Sequence, residues 1–276
     1  MFDGRTAAWH AALALRVRSA GGRAVLASEH RGPLRVQKAL YPEGASTAHV
    51  VVLHPPGGIA GGDALDIAVE VLPGAHALVT TPGAAKWYKA NGRTASQNVR
   101  LDARGTLEWL PQEAIVYDGA EVHSCIDIRL DRGAAMIGWD IVALGRHAAG
   151  ESFSQGLFSQ SIRLRVDDEL LWVERTRIRG GDALLQSPVG LSGNHVFGSL
   201  WAAGPGLDDA AIESLRTALG GTALLAPPTR LAPNLLVART LGGSTQSVRA
   251  VLTDVWAALR PGVCGRDAAL PRIWAT

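Results

Sequence analysis

The sequence predicts an all-β dominated fold with two helices toward its C-terminal end. Three observations point there. Short apolar runs over the first two-thirds of the chain have a period of two. Thirty-two glycines and fourteen prolines supply the turns that many short strands need. Only two segments, both late in the chain, carry apolar residues at helical spacing.

Taken in order, residues 13–18 alternate, with Leu13, Leu15 and Val17 on one face, and residues 34–37 repeat the pattern through Leu34 and Val36. Residues 49–54 form a continuous apolar run between histidines. Further strands are expected at 64–72, 75–81, 96–101, 106–110, 114–117, 122–130, 136–144, 161–166 and 170–178. Gly, Pro, Asn or Asp separates most of them. Asp208 can cap a helix over 207–219 with apolar Ala211, Ile212, Leu215, Ala218 and Leu219, which Gly220 would stop. A second helix over 244–260 starts at Ser244 and shows Val248, Val251, Leu252, Val255, Trp256 and Leu259 in one stripe, with Pro261 expected to end it. No repeat, linker or low-complexity tract divides the chain, so 1–276 is expected to be one domain.

Composition excludes several function classes. Charged residues are balanced, 27 basic against 25 acidic. Lysine occurs only at Lys38, Lys86 and Lys89, and the arginines are scattered in sequence, so no nucleic-acid partner is expected. Cys125 and Cys264 are too few for a disulfide framework and have no zinc spacing. The first residues lack a basic and then apolar leader, and the apolar stretch 11–15 is too short to span a bilayer. No membrane partner and a cytoplasmic location are the expectations.

Four strings carry potential chemistry. HPPGGIAGGD, 54–63, has four glycines and two prolines, but neither the lysine of a phosphate loop nor a following helix. It is either a tight structural loop or a loop that places His54 and Asp63 against something. TTPGAAKWY, 80–88, ends a strand in Thr80 and Thr81 and then presents Lys86, Trp87 and Tyr88, a combination typical of partner-contact surfaces; Lys86 as a simple solvated charge stays open. LPQEAIVYDG, 110–119, brings Glu113 and Asp118, and GRHAAGE, 145–151, brings Glu151. Asp140 and Glu174 sit inside apolar runs, where a carboxylate is costly unless paired. An ion pair of Glu174 with a nearby arginine is one reading. None of the eight histidines lies in HxH, HxxxH or HExxH spacing, and no GxSxG context supports a catalytic triad.

Together these strings resemble the UreD family of urease accessory proteins. HPPGGIAGGD, TTPGAAKWY, LPQEAIVYDGA at 110–120, the GR…GE loop, ERTRI at 174–178 and the closing PRIWAT at 271–276 carry the likeness, which runs from about residue 12 onward. Trp87-Tyr88 stands where members commonly have Phe-Tyr. The resemblance implies a β-helix-like stack of short strands with two helices, and a non-enzymatic scaffold that works with UreF and UreG on apo-urease. It also implies nickel in transit, with no tightly bound cofactor. Because imidazole and thiolate hold Ni²⁺ tightly, a conduit needs exchangeable oxygen ligands. Asp63, Glu113, Asp118, Asp140, Glu151 and Glu174, with Thr80 and Thr81, have the right chemistry. Two rivals remain: a carboxylate-using hydrolase on a β-solenoid, and an assembly scaffold with no role in conducting metal. A mean hydropathy of +0.11 suggests apolar surface that UreF would cover.

Overall fold

The computed structural model describes residues 8–218 and 228–275. The elements in chain order are β1 (His10–Ala20), β2 (Arg23–Arg31), β3 (Arg35–Val36), β4 (Thr47–Leu53), β5 (Ala64–Val71) and β6 (His76–Thr80). Next come β7 (Ala85–Trp87), β8 (Ala95–Ala103), β9 (Thr106–Leu110), β10 (Ala114–Val116), β11 (Glu121–Leu130) and β12 (Ala135–Leu144). The chain continues through β13 (Leu157–Val166), β14 (Glu169–Arg179), β15 (Val196–Ala203), α1 (Asp209–Ala218), β16 (Thr229–Ala232), β17 (Leu235–Gly242) and α2 (Thr245–Cys264).

The strands form two facing sheets. The first has the order β14-β13-β11-β8-β5-β1-β2, and the second runs β16-β17-β15-β12-β9-β6-β4-β3. The chain crosses between them rung by rung. Neighbours β1-β5, β5-β8, β8-β11 and β11-β13 in one sheet, and β4-β6, β6-β9 and β9-β12 in the other, are all parallel. That rung-by-rung coil is the expected β-helix-like stack; antiparallel strands close its ends.

The core has two layers. Period-two side chains such as Leu13, Leu15, Val17, Val50, Val69, Leu101, Ile128 and Trp201 fill the space between the sheets. The outer face of the second sheet is covered by α2, through Val248, Leu252, Val255, Trp256 and Leu259. Strand β12 is therefore buried on both sides: Met136 and Val142 face the interior, while Ile137, Trp139 and Ile141 face the helix. Two glycines permit this closeness. A Cβ on Gly138 would lie 2.6 Å from the Trp201 ring, and one on Gly198 would meet Val248 at 2.8 Å. The C-terminal segment straps down beside the helix. The Trp274 indole N–H donates to Thr80 Oγ1 at 2.8 Å, and its ring lies 5.3 Å from Trp139 and 6.0 Å from Trp256.

Some elements differ from expectation. The strand foreseen at 34–37 is only Arg35–Val36. Strands β2, β7, β15, β16 and β17 were not foreseen. Helix α2 does not stop at Pro261 but runs to Cys264, where Gly265 at φ +66° closes it by donating to the Pro261 carbonyl at 3.0 Å. Asp208 does cap α1, its Oδ1 accepting from Ala211 N at 2.8 Å. Leu219 and Gly220 lie outside the described residues, as does Thr276.

Candidate functional site

Strand alternation delivers a set of polar side chains into the apolar space between the sheets. On β12, β13, β14 and β15 the residues two or four positions away on the same face are core residues: Met136 and Val142, Phe158 and Ile162, Trp172 and Ile178, Phe197 and Trp201. Asp140, Gln160, Glu174 and Ser199 occupy the same inward phase. Asp140 and Ser199 are direct cross-strand partners. Gln160 Nε2 donates to Asp140 Oδ2 at 2.5 Å, and the Ser199 hydroxyl donates to Glu174 Oε1 at 3.2 Å. Arg239 of β17 donates its Nε to Glu174 Oε2 at 3.0 Å and adds a second bond from its terminal nitrogen. The ion pair left open for Glu174 is therefore present, and it ties the first sheet to the second. Loss of water pushes the Asp140 carboxyl up; the Gln160 bond opposes this and the charge of Glu174 reinforces it. A cavity of about 600 Å³ opens at this seam, with Glu174, Ser199 and Arg239 in its wall.

The two unusual loops meet elsewhere. HPPGGIAGGD and TTPGAAKWY together line a cavity of about 310 Å³ with His54, Gly57, Thr81 and Lys86 at its rim and buried Leu65 and Ile67 at its base. Desolvation lowers the His54 imidazole below its ordinary value against the charge of Asp63. Asp63 itself is committed to the backbone: Oδ1 accepts from Trp9 N and Oδ2 from Ala60 N, both at 2.9 Å. Thr80 donates to the Leu110 carbonyl at 2.6 Å and receives Trp274, while Thr81 Oγ1 accepts from Gln112 N at 2.9 Å.

The remaining candidates are separate from both groups. Glu113 is ion-paired with Arg249 of α2. Asp118 holds the next segment through Ser154 N at 2.7 Å and Gln155 N at 2.8 Å. Glu151 pairs with Arg146 at 2.6 Å and accepts from Asp118 N at 3.1 Å, and Arg146 lies over the Tyr117 ring. The hydrogen bond from Arg146 holds the Glu151 carboxyl below its usual range. Of the expected contact trio, Lys86 and Tyr88 are exposed, but Trp87 is 2 % exposed and part of the core. Strand alternation through β7 turns Trp87 inward, which corrects the expectation that all three are presented together.

One cluster had no sequence signal. Glu108 is fully buried under α2 and receives Trp256 Nε1 at 2.6 Å, Arg260 Nε at 3.0 Å and His76 Nε2 at 2.8 Å. Arg260 also grips Glu43 through two 2.7 Å bonds, and Glu43 meets His49 at 2.6 Å. Ligand-type atoms of His76, Glu108 and Cys264 lie within 4.8 Å of one another. Burial, reinforced by Glu108, pushes the Cys264 thiol well up, so it stays protonated. With Glu108 already held by the guanidinium, this trio is a structural lock and not a metal-ready set.

A family model described as UreD urease accessory protein matches residues 10–275. The chain belongs to the UreD family. A urease accessory protein UreD from Ralstonia nicotianae is 49% identical over 285 residues, covering 98% of this chain and 95% of that protein. Those from Cupriavidus metallidurans and Dechloromonas aromatica are 44% and 46% identical, covering 98% and 97% of this chain and 96% and 95% of theirs. The UreD membership fits the strings that the sequence shows at 54–63, 80–88 and 110–120, and it supports a role in urease maturation. No described helix is long and apolar enough to cross a membrane.

Proposed function

We propose that the protein is a non-catalytic scaffold of urease maturation that binds apo-urease together with UreF and UreG in the cytoplasm and helps pass nickel toward the urease active site. The observation that supports the conducting part is the inward polar set Asp140, Gln160, Glu174 and Ser199 inside an otherwise apolar sandwich, beside a cavity of about 600 Å³. Its donors are carboxylate, amide and hydroxyl oxygens. These bind Ni²⁺ weakly enough to release it, whereas imidazole and thiolate would retain it. The Asp140 carboxyl, raised by its loss of water, holds a proton more readily than an exposed one and can exchange it for an arriving cation.

Asp140→Asn and Glu174→Gln keep the shape and remove the charge. In cells making urease and its accessory proteins, each variant is expected to pull down the same complex as the wild type while the urease contains less nickel per active site, the double variant least. Loss of the complex before any loss of nickel would assign both residues to structure alone. Normal nickel in the double variant would take them off the route and favour an assembly scaffold that does not conduct metal.

A further inference from the structure

Arginines that are scattered along the sequence are gathered by the fold at one corner. In β14, Arg175, Arg177 and Arg179 are exposed and point outward, opposite in phase to the buried Trp172 and Ile178. Arg163 joins them from β13, where it lies opposite Val173. None of the four forms an ion pair among the described residues. On the same sheet face Arg165 is paired with Asp127 at 2.8 Å and Arg16 and Arg104 with Glu70 at 2.5 and 2.6 Å, whereas here three arginines recur on one strand without such a pair. A row of unpaired guanidiniums at strand spacing is self-repelling. Arg163 has Asp127 directly across from it, but the residues facing Arg175, Arg177 and Arg179 on β13 are Ser161, Ser159 and Leu157, none of them acidic.

The same corner lacks a strand. Strand β14 ends the first sheet and pairs only with β13. Among the described residues, strand β17 pairs with β16 over Leu235–Val237. The cavity of about 600 Å³ lies between the free edge of β14 and strand β17. Residues 174–178 and 239–241 line it, Phe197 and Leu241 make it apolar, and Leu184, Val189 and Leu191 close one end. Val189 is 93% exposed, far more than an apolar side chain needs to be.

We infer that this seam is a docking slot for an extended segment of a partner protein that pairs with the free edge of β14, with acidic side chains at alternate positions and apolar ones between. An added strand would set every second side chain against Arg175, Arg177 and Arg179, which recur at about 6.7 Å, twice the rise per residue. The intervening side chains would turn inward onto Phe197 and Leu241. Nucleic acid is the poorer fit, because no exposed aromatic side chain interleaves with the arginines; Trp172 is buried. The inference does not depend on nickel passage.

The test uses the full chain with capped, labelled peptides about six residues long, the usual length of a strand. One alternates glutamate and valine, one has the same composition with its glutamates clustered, and one alternates lysine and valine. A single-stranded oligothymidine serves as the nucleic-acid probe. The alternating acidic peptide is expected to bind saturably by fluorescence anisotropy and to slow amide exchange at 174–178 and 239–241. Arg175→Glu/Arg177→Glu, exposed and so neutral to folding by circular dichroism, should weaken it about tenfold or more and take up the lysine peptide instead. Equal binding of the clustered peptide would reduce the slot to a charge patch and overturn the strand-pairing inference. So would tighter binding of the oligothymidine, absence of peptide binding, or unprotected amides in the bound state.

Discussion

Arg260 is fully buried and commits its guanidinium to Glu108 and Glu43 together, which joins α2 to the second sheet and to the segment before β4. Burial works against all three charges, but their mutual hydrogen bonds outweigh it, holding both carboxyls below their usual range and the guanidinium above its own. Removing one member leaves another charge buried without its counterpart, at a cost of about 3–5 kcal/mol. Glu108→Gln should therefore lower the unfolding free energy at neutral pH by about that amount. Because both glutamates are depressed in the fold, their contribution is present above the ordinary value of 4.5 and fades as pH falls below it. Denaturant titrations at a series of pH values should show the gap between variant and wild type closing on the acid side. Nothing near Glu108 in the sequence announces this role. Its string, TLEWL, reads as an ordinary strand, and its partners lie 32 and 152 residues away. Asp140 and Glu174 were legible because each breaks an apolar run, whereas Asp63 was conspicuous for its loop and proves to be held by two backbone N–H groups.

At the scale of elements, a wet face helped but was not required, since the doubly buried β12 was read as a long apolar run to within a residue of its ends. Strands with one wet face, such as β5 with its strictly alternating burial, show period two; β5, β11 and β14 were read within a residue of their ends, while β1 and β13 were begun three and four residues late. Strand β15, VFGSLWAA, lies between the core and α2, is almost wholly buried, and has no alternation to read. Helix α2 was legible for the opposite reason, since only one stripe of it is buried. Its start rests on Ser244, whose Oγ accepts from Ser247 N at 3.1 Å. Ser244→Ala should cost about 1 kcal/mol, seen as a lower denaturation midpoint with an unchanged slope. A change in slope would mean that the helix detaches separately from the sheets. Its far end was misread because a proline in the last turn was taken as a stop, yet the left-handed Gly265 beyond it is what closes the helix.

At the scale of the whole molecule, a two-sheet stack must manage its open edges. Strand β2 ends the first sheet with mostly exposed residues that include Glu29, His30 and Arg31, which discourage pairing with another copy. At the other end, β14 relies on its unpaired arginines, whose mutual repulsion opposes edge-to-edge association of two chains. Such protection works through charge and is subject to screening. The Debye length is about 10 Å at 0.1 M salt and about 3 Å at 1 M, against an arginine spacing of about 6.7 Å. The isolated chain should therefore self-associate more readily as monovalent salt rises, the reverse of what an assembly held by surface ion pairs would do. Arg175→Ser/Arg177→Ser should bring that association to lower salt, and co-expression with UreF should suppress it by covering apolar surface such as Val189, Leu270 and Trp9. Light scattering of the two proteins across a salt series measures this. A variant that stays monodisperse wherever the wild type does would show that the arginine row does not guard the edge.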